Sequence, residues 1–141
     1  MIVSPAEMTT AIDQYKLDEI TDHSTEITTT CLRAAEQKVL SYLANRYDVL
    51  AIAGMTTSNP QVADLAEIIK DIALYYIIRR HNIDLVYSSV VAVYKEHLNY
   101  LEHIAKGTIS LVGLPLRTQE DGKTTTATIA MGSRPKRDFE Y

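Results

Sequence analysis

Apolar residues along the first hundred positions recur at intervals of three and four, the period of helices packed along one face. Between 25 and 47 they fall at Ile27, Cys31, Ala35, Val39, Tyr42, Leu43 and Tyr47. This stripe predicts a helix from near Thr25 to near Tyr47. From 60 to 80 the apolar positions Ile68, Ile69, Ile72, Ala73, Tyr75, Tyr76 and Ile77 spread over much of the circumference. A helix of that kind is central, buried by neighbours on more than one side. Val90, Val91, Tyr94, Leu98, Leu101 and Ala105 mark a further helix, beginning at about Asp84 or Ser88 and ending at Lys106. A short helix is predicted ahead of these, from Pro5 to about Tyr15, with Leu17 and Ile20 packing in the connection that follows.

Terminating residues sharpen these spans. Ser4-Pro5-Ala6-Glu7 has a capping serine, a proline at the first helical position and a glutamate three residues after the cap. Gly54 and the run Thr56 to Asn59 read as a polar loop, and Asn59-Pro60 opens the next helix in the same manner. Arg79 and Arg80 stand at the negative end of a helix dipole, and Gly107 supplies a left-handed stop. The fold class predicted is all-α: a small bundle of about four helices.

The pattern changes at Gly107. Residues 1–106 contain one glycine and two prolines; residues 107–141 contain four glycines and two prolines. The first part carries nine Lys/Arg against fourteen Asp/Glu, a balance of −5; the second carries five against four, a balance of +1. The sequence therefore divides into a helical body, 1–106, and an extended C-terminal arm, 107–141. Asp121-Gly122 between threonine-rich flanks predicts a β-hairpin over about 114–131. The tip, 132–141, combines Arg134, Lys136 and Arg137 with Phe139, the sole phenylalanine, and Tyr141. Such a segment is expected to dock, with the aromatics as anchors and the cations on an acidic rim.

Bulk properties narrow the class. A chain of 141 residues fits one domain. The net charge of −4 argues against a general nucleic-acid binder. The single cysteine, Cys31, cannot form an internal disulfide and reads as a small core hydrophobe. MIVSPAEM has neither a basic n-region nor an apolar h-region, so no secretion signal is expected. The longest apolar run, 72–78, falls far short of the ~20 residues of a membrane span. A soluble protein with no membrane partner is expected.

Catalytic chemistry finds little to build on. His97 and His103, six apart on one helix, face different ways, and the histidines read as solvent-facing or capping groups. No HExxH, CxxC, GxSxG, P-loop or GxGxxG pattern is present. Asp18, Glu19 and Asp22 lack the spacing and glycine of a calcium loop. No catalytic, metal or cofactor residues are assigned, and an enzyme is not expected. Asp71, set between Ile69 and Ile72, requires a partner if buried. Arg46 is the candidate, forming a structural pair that pins two helices. Tyr42, Tyr47, Tyr75, Tyr76, Tyr94 and Tyr100 suit core edges or a subunit interface.

Three segments occur in a suggestive order. YLANRYDV, 42–49, closes one helix; DIALYYIIRR, 71–80, closes the next; YKEHLNYLEHIAKGTISL, 94–111, ends a third. This order resembles the Mu-type phage head–tail connector proteins, also called head-completion or neck proteins, over about residues 1–111. The basic-then-Phe run Arg134 to Phe139 is similar to that family's terminus as well. The loop 48–59 and the threonine-rich hairpin depart from the pattern. The resemblance implies a structural virion protein at the head–tail interface, assembled in the host cytoplasm. It implies a homo-oligomeric, often dodecameric, ring beneath the capsid portal that extends the channel for passing DNA, with the portal and tail-side proteins as partners. Two other readings stand beside it: a small helical DNA-binding regulator, and a small enzyme using Asp71 and Tyr75.

Overall fold

The computed structural model describes residues 1–81 and 88–118. Among them the chain is mostly helical, with no sheet: α1 Gln14–Thr21, α2 Thr25–Leu43, α3 Val49–Ala53, α4 Ala63–His81 and α5 Ser88–Lys106, with 3₁₀ turns at Pro5–Thr10 and Pro60–Val62. The all-α expectation holds. Of the predicted hairpin, 114–131, only 114–118 are described, and Leu116 there bridges to Tyr47 of the body; the rest and the tip lie outside the described residues.

The first helix is where prediction and structure part. The Pro5–Thr10 turn begins as its sequence dictates, with Ser4 donating from both its backbone N and its Oγ to Glu7 Oε2, at 3.0 and 2.8 Å. A hydrogen bond from Thr57, followed by those from Ser4, holds the Glu7 carboxyl below its ordinary pKa. The helix does not continue to Tyr15, because the Asp13 carboxylate accepts from Tyr15 N at 3.1 Å and caps a new helix. Leu17 and Ile20 thus lie on α1 and not in a connection. Asp22 and His23, at φ 54° and 62°, turn the chain out of α1. Ser24 Oγ then accepts from Ile27 N to start α2.

The buried face of α2 is Thr28, Leu32, Ala35, Glu36, Val39, Leu40 and Leu43. It is rotated from the predicted stripe; Ile27, Cys31 and Tyr42 are only half-buried. Two polar residues, Thr28 and Glu36, lie on this inner face. Glu36, 8% exposed, accepts the backbone N–H of Ile2 at 2.7 Å. That bond seats Ile2 and Val3 in the core, where Met8 joins them. A count of apolar residues cannot register a carboxylate that is buried because a distant amide satisfies it.

α4 is the central helix, packing on α2, α5 and α1. It buries Leu65, Ala66, Ile68, Ile69, Ile72, Ala73 and Ile77. Lys70 is buried with them, 5% exposed; its Nζ donates to Thr10 Oγ1 and to Glu67 Oε1, each at 2.6 Å. An ammonium in that position ties the N-terminal turn to the centre of the bundle. The 48–59 stretch is not all loop: the Asp48 carboxylate accepts from Ala51 N and caps α3. The core extends past α5, for Leu114 is buried and Ile109, Leu111 and Leu116 pack against it.

Candidate functional site

α2 ends at Leu43, short of the predicted Tyr47, and residues 46–48 beyond it form a clamp. Arg46 Nη1 donates to the carbonyls of Ile104, at 2.7 Å, and Ile109, at 3.0 Å; Nη2 donates to Ser110 Oγ at 3.0 Å. The Ile104 carbonyl belongs to the last turn of α5, where acceptors lack helical partners and a cation is favoured. Tyr47, buried, accepts the Leu111 N–H at its hydroxyl at 2.7 Å. Tyr47 and Leu116 form an antiparallel bridge, framed by Asp48 N to Pro115 O, 2.9 Å, and Arg117 N to Arg46 O, 3.0 Å. Gly107, at φ 88°, makes the turn from α5 into this segment, with its own N–H donating to Ile104 O. Together these bonds fix residues 107–117 on the body and set where the arm leaves it.

Arg46 and Asp71 are not brought together as a pair. Arg46 goes to the α5 terminus, and the Asp71 Oδ2 meets His97 Nε2 at 2.8 Å, joining α4 to α5. The physical reason is position: Arg46 lies beyond the end of α2, within reach of the carbonyls at and just after the end of α5. Asp71 is only half-buried and takes the imidazole facing it across the helix pair. His97 is therefore a helix-pairing group, where the sequence suggested a solvent-facing or capping one. His103 Nδ1 bonds back to the Asn99 carbonyl at 2.7 Å.

Toward the other end of α4 the tyrosines gather. Tyr75 and Tyr94 stack with centroids 4.0 Å apart, and Tyr76 tilts against both, at 6.0 and 6.1 Å. Arg79 lies over Tyr76 and Tyr75, at 5.0 and 5.7 Å, a cation–π arrangement. Burial, then the adjacent Tyr94, pushes the Tyr76 hydroxyl up to about 12. Cys31 nearby is half-buried; burial pushes its thiol up, while Arg80 and Arg79 oppose that. Leu50, on α3, is 86% exposed and Val112 91% exposed, while Val93 is exposed on α5.

Arg134, Lys136, Arg137, Phe139 and Tyr141 lie outside the described residues. The features sequence reasoning missed are the Arg46–Tyr47 clamp, the His97 pairing and the buried Glu36 and Lys70. One signal was present for the first, since Arg46-Tyr47 sits in the motif 42–49 and Gly107-Thr108-Ile109-Ser110 in the motif 94–111. Two of the three quoted motifs are thus the two sides of one contact. Among the described residues no group of three His, Cys, Asp or Glu side chains could hold a metal ion. No helix among them is long and apolar enough to cross a membrane.

No curated protein and no solved structure matches the chain. A family model described as Bacteriophage Mu, Gp36 matches residues 3–131, from the N-terminal core residues through the clamp and into the arm. By that match the chain belongs to the phage Mu Gp36 family.

Proposed function

We propose that this phage protein is a structural component of the virion, forming a ring beneath the portal that joins the DNA-filled head to the tail. The family match over 3–131 carries the reading. The geometry supports it in two ways. A rigid helical body suits a ring subunit, and the clamp at 46–48 gives the arm a fixed point of departure. An arm that departs from such a point reaches a partner from a defined place on the ring subunit. The portal, tail-side proteins and neighbouring copies are the partners of this reading; passing DNA is accommodated without sequence-specific binding, and no catalysis is required. The DNA-binding regulator finds no support: the helix at 63–81 is enclosed by α1, α2 and α5 and is not free to enter a groove.

The test is particle imaging of the purified protein, alone and with portal-bearing capsids. Closed rings seated on the portal vertex are expected. A monomer with no affinity for that vertex overturns the proposal. Deleting 132–141 is expected to weaken attachment while leaving the helical content intact; unchanged attachment removes the tip from assembly at the vertex.

A further inference from the structure

A groove runs along the α4–α5 seam. One part, about 410 Å³, is lined by Asp64, Glu67, Ile68, Glu96, His97 and Tyr100. A second part, about 590 Å³, shares Asp64 and Tyr100 and continues past Pro60, Ala63, Leu111 and Val112. The two ends differ in chemistry. The first has the exposed carboxylates of Asp64, Glu67 and Glu96 above the buried Ile68. Lys70 holds Glu67 and Asp71 holds His97, but among the described residues no cation pairs with Asp64 or Glu96. The second end is the more apolar, set by Pro60, Ala63, Leu65, Leu111 and the almost fully exposed Val112, with Gln61 and Ser110 among them. Tyr100 stands between them; burial, then the Asp64 carboxylate, raises its hydroxyl pKa.

We infer that this groove is the seat of the protein's own tip, residues 132–141, with Arg134, Lys136 and Arg137 on the acidic end and Phe139 on the apolar end. Charge complementarity carries the choice of occupant. The body holds a balance of −5, and the tip places three cations within four residues, followed two positions later by an aromatic ring. The spacing agrees: Glu96 and Tyr100 are one helical turn apart, about 6 Å. Arg137 and Phe139 are about 7 Å apart in an extended chain. The 16 residue steps from Thr118 to Arg134 span up to about 55 Å, longer than the body's 19-residue helices at about 28 Å, so the groove of the same copy is in reach. This inference rests on the reading of the tip as a handle and names what the handle grips.

The test uses the full chain with p-benzoylphenylalanine in place of Phe139, photolysed alone and with portal present, then digested and mapped by mass spectrometry. Cross-links to 64–68, 96–100 or 110–113 are expected, and joining within or between copies supports the inference equally. Glu96→Lys is expected to lower their yield by about two- to fivefold, the range of an exposed ion pair; Arg137→Glu in the same chain should restore it. Cross-links to α3, to the tyrosine cluster or only to portal overturn the inference, as does a yield that Glu96→Lys leaves unchanged. Parallel imaging separates the two proposals. Rings whose Phe139 position labels elsewhere defeat the groove alone, and groove cross-links in a lone monomer defeat the ring alone.

Discussion

α4 and α5 have the same length, 19 residues each, and lie side by side, yet they are built for different ends. α4 sends Leu65, Ala66, Ile68, Ile69, Lys70, Ile72, Ala73 and Ile77 into the core. α5 sends only Leu101 and Ile104; its first half, from Ser88 to Leu98, leaves Val90, Val91, Tyr94 and Leu98 half-buried and Val93 exposed. α4 has neighbours on several sides, so its apolar residues need not share a stripe. α5 covers one side of the bundle, and only its last turns, closed by Arg46 and the 107–117 segment, are sealed from water. One helix organises the fold; the other presents a surface that is more apolar than a solvent face requires. A surface of that composition, rimmed by charged groups, is the kind that meets other proteins.

The largest test of this contrast is Ile69→Ala, which removes fully buried apolar volume from α4. It is expected to cost about 2–5 kcal/mol, read from chemical denaturation. A cost near zero would mean that α4 is not the centre of the core. Arg46→Ala comes next. It removes three charge-assisted bonds at the α5 terminus, on the order of 2–3 kcal/mol after the groups re-solvate. Hydrogen-exchange protection of 107–117 should fall much further than that of α4, since the clamp seals the arm root and not the core.

The tyrosine cluster gives a pH-dependent test. The Tyr76 hydroxyl has a pKa of about 12 when folded, against 10 in the unfolded chain. The folded state therefore favours the protonated form. Its contribution is whole below pH 10 and is lost as pH rises toward 12. Tyr76→Phe is expected to remove part of the alkaline destabilisation; an identical pH profile would place the ring in water. The smallest effect is expected for Val93→Ser, on the open part of α5, within about 0.5 kcal/mol. Against that small change, the same variant should weaken ring assembly if α5 is an interface. Unaltered assembly assigns the contact to another face.

Local chemistry was legible wherever a residue acts on its immediate neighbours. Ser4 with Glu7, Asn59 with Pro60, and Gly107 at its positive φ end or begin elements close to where their types require. The central character of 63–81 followed from apolar residues all round the helix. α1 was missed because Asp13 acts as a cap that restarts the chain, a signal weaker than the apolar count on either side. α3 was missed because five residues cannot display a period.

Residue type and spacing alone determined the helical class, the central helix and the change of character at Gly107, because these depend on contacts within a few positions. The family was legible in the order of three motifs, two of which prove to be opposite halves of the clamp. Only the folded arrangement decided the partners of the charged groups: Asp71 with His97, Arg46 with the Ile104 carbonyl, Glu36 with Ile2, Lys70 with Thr10. Each of these bonds spans 26 to 60 positions of chain. A charged side chain takes whichever complementary group the packing of the apolar faces brings within about 3 Å, and that distance exists only after the helices have met.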